Sequence, residues 1–175
     1  MNFSKAPAHP DEILRLIART PSGRAVLAPF MEHYRSGRIS LQSYPAPLLE
    51  SLRAVLGEGQ PVGACFVNDG DTGTIYYDPS APLGVLAPFL VHEMAHAADE
   101  SLWRAARFPQ TRKARDELML EAETHAFELQ HLFVQELRAA DLAFSVFLES
   151  QQDRVRILTE RLGREDIAEL YGFKI

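Results

Sequence analysis

Two histidines four residues apart, His92 and His96, have the spacing in this sequence that points most directly to chemistry. In a helix, residues four positions apart lie on one face, so both imidazoles can approach a single ion. Zinc binds neutral imidazole readily, and a catalytic zinc ion usually has three protein ligands and one water molecule. The spacing therefore predicts that both histidines are ligands of a zinc ion, with one ion per chain.

Glu93 directly follows the first histidine and lies about 100° further round the predicted helix. From that position its carboxylate can reach a water molecule on the metal rather than the metal itself. A carboxylate placed in this way can take a proton from the water and later pass it to the leaving group. The segment His92-Glu93-Met94-Ala95-His96 thus matches the H-E-x-x-H pattern, which supplies two ligands and a general base from one helical turn.

The third ligand must come from another element, and two glutamates on the next long predicted helix are candidates. Periodicity favours Glu123, because it lies nearer the apolar stripe that contains Ala126. Glu121 lies on a polar strip, which is typical of a solvated surface but also of the wall of a wet cleft. Asp99 shares a helix with His96. Since a straight helix does not easily wrap three ligands round one ion, we expect Asp99 to support the site from outside or to lie on the surface.

These motifs resemble those of the zincin metallopeptidases, and in particular the gluzincins, whose third zinc ligand is a glutamate on a later helix. That branch often carries Glu-x-x-Ala/Ser-Asp/Asn around this ligand, and the segment beginning at Glu121 fits the register. Thr124 takes the place of the small residue, and His125 departs from the pattern in the place of Asp or Asn. The resemblance covers about residues 62–137. It implies a zinc cofactor, peptidase activity, and Glu121 rather than Glu123 as the third ligand.

Periodicity and turn residues predict the elements that position these side chains. The predicted helices cover residues 11–19, 24–34, 48–56, the histidine segment opened by Ser80 or Pro88, a long stretch over 111–162 with a break near Asp141, and 165–171. The predicted strands cover residues 38–44, 62–67 and 74–77, and the last two form a hairpin over the turn-rich segment between them.

The fold class predicted from these elements is α+β and mainly helical. A small antiparallel sheet or hairpin precedes the histidine helix, and a long helix carries the third ligand. The length of 175 residues favours one zincin-like domain. Its parts would be an N-terminal portion (1–60), a metallopeptidase-like core (61–137) and C-terminal helices (138–175). As in zincins, the strand 74–77 is expected to lie at the sheet edge, where an extended substrate can pair with it.

Composition narrows the choice of partners. The formal charge of −6 and the scattered basic residues argue against nucleic acid, because phosphate binding needs a clustered positive face. The basic residues of segment 104–115 are followed at once by acidic ones, which is typical of a solvated surface.

The sequence contains no run of about 18 apolar residues, so no membrane span is predicted. No apolar signal segment is visible, so we expect a cytoplasmic protein, with signal-less secretion left open. The single cysteine, Cys65, is expected to be a small buried hydrophobe.

The function predicted from the sequence is a zinc-dependent metallopeptidase that hydrolyses peptide bonds through a metal-bound water activated by Glu93. Its partner would be a peptide or protein substrate, and a specialised protease with one protein target is a variant of this hypothesis. The alternative from another class is a zinc-stabilised binding or regulatory module without catalysis. The intact Glu93 favours the enzyme, since a structural zinc site needs no base and is usually closed by a fourth protein ligand. Cleavage specificity and oligomeric state stay open.

Overall fold

The computed structural model describes residues 2–7, 9–56, 62–151 and 160–173. The elements, in chain order, are α1 (Pro10–Ile17), α2 (Pro21–Arg35), β1 (Ile39–Ser43), α3 (Ala46–Leu56), β2 (Ala64–Asn68), β3 (Gly73–Tyr77), α4 (Leu83–Ala98), α5 (Glu100–Arg107), α6 (Arg112–Ala140), α7 (Leu142–Ser150) and α8 (Arg164–Tyr171). The prediction of a mainly helical chain with one small sheet is confirmed. No helix in these described ranges is long and apolar enough to cross a membrane.

The three strands form one mixed sheet in the order β1-β3-β2. Strands β2 and β3 form the predicted antiparallel hairpin, with Phe66 opposite Ile75. Strand β1 joins β3 in parallel, so the expectation of a purely antiparallel sheet is wrong. Strand β3 is paired on both sides, so it is not the edge strand. The edge strand near the histidine helix is β2. The sequence did not predict this arrangement, because the pairing of β1 with β3 depends on long-range packing that the local pattern does not encode.

Helix α4 is the central helix of the fold. Every residue from Leu83 to Ala97 is buried except Phe89, and a helix that is apolar all round belongs in a core. The helix begins at Leu83, after Pro82, rather than at Ser80 or Pro88. Pro88 lies inside it, where surrounding packing outweighs the loss of one backbone hydrogen bond. The histidine motif therefore lies deep in the molecule, on the last turns of a fully packed helix.

Prolines also explain why two earlier helices begin before the predicted residues. Pro10 opens α1 and Pro21 opens α2, and proline is favoured at the first helical position because its φ is already helical and its missing N–H is not needed there. The side chain of Thr20 caps α2 by accepting a hydrogen bond from the Gly23 N–H at 3.0 Å. Pro29 is accommodated within α2 instead of ending it.

Helix α6 runs past α4 and supports two parts of the core. Its inner face places Ala126, Phe133 and Leu137 in the main core. Its Leu120 and Phe127 join a second cluster with residues of the short helix α8. The helix ends at the predicted break, where Asp141 caps α7 by accepting a hydrogen bond from Ala143 N–H at 3.0 Å. The predicted helix beyond α7 falls partly on residues 152–159, which lie outside the described residues.

Candidate metal centre

Three buried side chains from α4 and α6 converge on one point. The Nε2 atoms of His92 and His96 are 3.1 Å apart. Glu123 Oε2 lies 3.1 Å from His92 Nε2, and Glu123 Oε1 lies 3.4 Å from His96 Nε2. All three side chains are buried, with at most 6% of each residue exposed. They form a group whose ligand atoms lie within 4.8 Å of one another and could hold a metal ion.

The spacing of these donor atoms is close to that needed round a tetrahedral metal ion, and zinc supplies the bond lengths for the comparison. Zinc binds imidazole nitrogen and carboxylate oxygen at about 2.0–2.2 Å. Two ligand atoms at tetrahedral positions round such an ion are therefore about 3.3–3.5 Å apart, by simple geometry from those bond lengths. The observed separations of 3.1, 3.1 and 3.4 Å lie close to that range. The two imidazoles and one carboxylate are also a donor set that catalytic zinc uses.

The structure brings Glu123, rather than the expected Glu121, together with the two histidines. Glu121 is exposed, while Glu123 is buried against the histidines. Residues two apart in a helix point about 200° apart, so only one of the two can face the site. The buried face of α6 includes Ala122, Ala126 and Glu123, as the apolar periodicity indicated. The glutamate favoured by the gluzincin register is therefore not the one that lies beside the histidines.

The other candidate residues from the sequence, namely Thr124, His125 and Asp99, also lie outside the donor group. His125 is exposed, on the outer side of α6. Thr124 donates its hydroxyl to the carbonyl of Leu120 at 2.6 Å, a bond within its own helix. Asp99 caps α5 by accepting a hydrogen bond from Ser101 N–H at 2.8 Å, so its main contact is structural. None of these three residues belongs to the His-His-Glu group.

Glu123 is ionised at neutral pH. Burial acts to raise its pKa, but hydrogen bonds with His92 and His96 and their charges outweigh it and lower the pKa of Glu123 to about 2. Burial acts to lower the pKa of His96, but its hydrogen bond with Glu123 and the charge of Glu93 reverse this and raise it. The group thus presents a carboxylate in the form that binds a cation.

Glu93 lies beside the donor group without belonging to it. Its Oε2 accepts a hydrogen bond from the backbone N–H of Phe66 at 2.8 Å. The residue is only 9% exposed, and burial raises the pKa of Glu93 above its usual value even though His92 and His96 act to lower it. A raised carboxyl pKa suits a group that must both accept and release a proton near neutral pH.

Packing holds the histidine rings as much as hydrogen bonding does. The ring of Phe127 meets the His92 ring edge-on, with centroids 4.6 Å apart. The Nδ1 atoms of His92 and His96 are buried and make no hydrogen bond to any residue that the structure describes. In many metal sites this second nitrogen donates to a carboxylate or carbonyl. Here the orientation of the His92 ring depends on the aromatic contact from α6.

A cleft of about 760 Å³ leads to the donor group. Strand β2 contributes Phe66 to its wall, helix α5 contributes Leu102, and the first turns of α6 contribute Met119. His92, Glu93, His96 and Glu123 line its buried end. Tyr76 and Tyr77, which were considered as cleft residues from the sequence, are not among its lining residues. A group of metal-binding type thus lies at the end of a cavity large enough for a small ligand or a peptide segment.

Tyr171, the last residue of α8, is a site residue that the sequence did not identify. Its side chain lines the cleft, and its ring lies 6.4 Å from that of Phe127. Partial burial and the charge of Glu123 raise the pKa of Tyr171, so its hydroxyl stays protonated beside that carboxylate. Only the docking of α8 against Leu120 and Phe127 brings it here, and no local pattern signals that docking.

Cys65 differs from the expectation of a fully buried residue. It is half-buried on β2 and lines the cleft. Burial raises the pKa of its thiol. A protonated thiol is a poor nucleophile and a poor metal ligand. Cys65 therefore stays outside the donor group.

Comparison with known proteins gives no assignment for the chain: no protein-family model, no curated protein and no solved structure matches it. The class of site is therefore defined by the geometry alone. It is a buried His-His-Glu group that could hold a metal ion, with a further carboxylate beside it, at the inner end of a cleft.

Proposed function

We propose that this protein is a zinc-dependent metallopeptidase. His92, His96 and Glu123 would hold the zinc ion, and Glu93 would be the general base. The observation that carries the proposal is the meeting of three buried donor side chains at separations of 3.1–3.4 Å. The carboxylate of Glu93 lies beside them without belonging to the group. A bound zinc ion would polarise water and the substrate carbonyl.

Glu93 moves the proton in this mechanism. It accepts a proton from the attacking water and delivers it to the amine that leaves. Its Oε2 is held by the Phe66 N–H, so Oε1 is the oxygen positioned to exchange the proton. The raised pKa of Glu93, caused first by burial, favours both halves of this transfer.

Strand β2 is the element best placed to bind an extended substrate. Asp78 N–H bonds the Gly63 carbonyl and Asp69 N–H bonds the Thr72 carbonyl, so the odd-numbered residues of this segment face β3. Antiparallel pairing alternates along a strand, so the backbone groups of residues 64, 66 and 68 point outward, and all three residues line the cleft. The Phe66 N–H is taken by Glu93, so residues 64 and 68 and the Phe66 carbonyl are the groups open to a substrate strand. A peptide can add to such an edge as a further strand. This assigns the substrate to β2 rather than to the predicted strand 74–77.

Tyr171 positions the third ligand. Its hydroxyl, which is protonated and close enough to feel the charge of Glu123, would donate to that carboxylate and orient it between the two histidines. Such partners of metal ligands typically change metal affinity by about 10–100-fold when removed. Helix α8, although far along the chain, would thus contribute to the metal centre.

The test is peptide hydrolysis by zinc-loaded protein, with Glu93→Gln as the matched control. The amide keeps the size of the side chain but cannot accept the proton. We expect the parent protein to cleave members of a quenched-fluorescent peptide library, and the variant to bind one equivalent of zinc without cleavage. If both proteins bind zinc and neither cleaves any peptide, the alternative of a zinc-stabilised binding module is favoured. If the two cleave equally well, Glu93 is not the base.

A further inference from the structure

One row of side chains on α6 leads from the metal centre to the outer part of the cleft. Arg115, Met119 and Glu123 are spaced four residues apart, and all three line the cleft. Residues at this spacing form a continuous ridge along a helix. With a rise of 1.5 Å per residue, Arg115 lies about 12 Å along the helix from Glu123.

Arg115 differs from the other cations around it. Arg107 pairs with Asp71 at 2.7 Å and donates to the carbonyl of Gly70 at 2.6 Å. Arg112 pairs with Asp116 at 3.7 Å. The side chain of Arg115 makes no ion pair or hydrogen bond to any residue within the described ranges; only its backbone N–H is bonded, to the carbonyl of Thr111. Its guanidinium is therefore available to a partner from outside.

The cleft surrounding this cation offers it no anion. The described acidic residues that line the cleft are Glu93 and Glu123, and both lie at the metal centre. Between them and Arg115 the wall of α6 is apolar, formed by Leu118 and Met119. Arg115 is exposed, so its guanidinium can reach a ligand in the outer cleft, where an ion pair has a modest, solvent-screened effect. The outer cleft is thus positive and unneutralised.

We propose that this cleft selects peptides that carry a carboxylate two to four residues from the cleaved bond, and that Arg115 binds this carboxylate. The inference rests on the proposed peptidase function and names its substrate class. An extended peptide advances about 3.3 Å per residue, so a span of about 12 Å covers three to four residues. The flexible arginine side chain extends the range inward by about one more residue.

Two sources can supply this carboxylate, an acidic side chain or the C-terminus of the peptide. A guanidinium recognises both by the same pair of N–H donors. The apolar wall at Leu118 and Met119 would receive an uncharged side chain between the cleaved bond and the carboxylate. The preferred substrate is therefore a short run of apolar residues that ends in a negative charge.

The first test uses zinc-loaded protein and matched peptides. One series is amidated at the C-terminus and carries a single Asp, Ala or Lys at each position up to five residues from the cleaved bond. A second series lacks acidic side chains but ends in a free carboxylate at the same distances. We expect an acidic group at positions two to four, on one side of the bond only, to raise kcat/KM by about fivefold, the effect of a partly exposed ion pair.

Charge reversal identifies the residue that reads the carboxylate. Arg115→Glu should turn the preference for Asp into a similar preference for Lys, mainly through KM. Arg104→Glu is the control, because Arg104 is exposed on α5 and does not line the cleft. This control should leave the preference as it is. A preference that survives in Arg115→Glu, or that is absent from the parent protein while peptides are still cleaved, would overturn the inference and leave the peptidase function standing.

The second test measures binding without cleavage. Fluorescein-labelled amidated peptides with Asp or Lys at the preferred position are titrated into Glu93→Gln protein, and anisotropy is recorded. The Asp peptide should bind about fivefold more tightly, and Arg115→Glu in the same background should reverse the order. Equal binding of the two peptides would overturn the inference even if no peptide is hydrolysed. Failure of hydrolysis alone counts against the proposed function and not against this site.

Discussion

The backbone N–H of Phe66 donates a hydrogen bond of 2.8 Å to Oε2 of Glu93. This bond joins the edge strand of the sheet to the residue that we propose as the base. The Phe66 ring packs on Trp103, with centroids 5.5 Å apart, and the Trp103 indole N–H donates to the carbonyl of Ala97 on α4 at 3.0 Å. These contacts hold strand β2 in a fixed position against helix α4 at the point where the chemistry would occur.

Removing the Phe66 N–H should reduce catalysis without removing the metal. The backbone donor that Phe66→Pro deletes faces away from β3, so no ladder bond of the sheet is lost. We expect kcat to fall by about tenfold or more relative to Phe66→Ala, because a hydrogen bond to a charged group contributes about 1.5–3 kcal/mol. Phe66→Ala is the control, since it loses the ring but keeps the N–H. Equal kcat values for the two zinc-loaded variants would show that this bond does not position Glu93.

Replacing each of the two candidate glutamates by alanine should show which one is the metal ligand and which is a surface residue. Glu123→Ala removes one of three donors, so zinc affinity should fall by about 100-fold or more, beyond the effect of losing an outer partner. Glu121→Ala alters an exposed residue and should leave zinc affinity unchanged. Competition with a chromophoric chelator measures both. Retention of zinc by Glu123→Ala and its loss in Glu121→Ala would restore the gluzincin register.

Tyr171→Phe should weaken zinc binding and leave the fold intact. The substitution removes only the hydroxyl that we propose as a donor to Glu123, so we expect about a tenfold loss of zinc affinity. The matched control is Tyr34→Phe, because Tyr34 is similarly exposed, with 43% against 45% for Tyr171, and lies on α2, away from the cleft lining. If both variants bind zinc as the parent does, Tyr171 only packs against Phe127.

Asp78 should make the stability of the fold pH-dependent. Burial acts to raise its pKa, but hydrogen bonds from Ser80 and Arg53 outweigh it and hold the pKa of Asp78 below its usual value. A group with a lowered folded-state pKa stabilises the protein above its unfolded pKa of about 3.9, and this stabilisation is lost as the pH falls through the folded-state pKa.

Asp78→Asn should therefore lower the free energy of unfolding by about 1–2 kcal/mol at pH 7. The difference between parent and variant should shrink as the pH falls below about 4, where the carboxyl becomes protonated. Urea denaturation at a series of pH values measures both quantities. A difference that stays constant down to acid pH would mean that the charge of Asp78 contributes nothing and that only its shape matters.

The sequence predicts best those features that depend on neighbouring residues. The H-E-x-x-H turn, the hairpin of β2 and β3, and the helix break at Asp141 are encoded by local spacing, turn residues and a capping carboxylate. The position of Glu123 on the buried face of α6 follows from apolar periodicity, because the residues of a buried helix face recur at helical spacing in the sequence.

Features that depend on distant contacts are not predicted in the same way. The position of β3 between β1 and β2 depends on the parallel pairing of β1 with β3, which are separated in the chain by α3 and β2. The residues of a single strand do not indicate which distant strand it will pair with. Tyr171 reaches the site only because α8 packs on the second cluster. The lack of a partner for the Arg115 side chain among the described residues likewise becomes visible only in the structure, where the neighbouring cations Arg107 and Arg112 are paired.

The most direct measurement of the central claim is a zinc titration of metal-free protein that records bound zinc and peptide hydrolysis together. The account predicts that hydrolysis rises with added zinc and saturates at one equivalent per chain. It also predicts that His96→Ala, which removes one of the three donors, shows neither tight zinc binding nor hydrolysis at that point. Saturation at one equivalent with no hydrolysis of any peptide, or hydrolysis that persists unchanged without zinc, would contradict it.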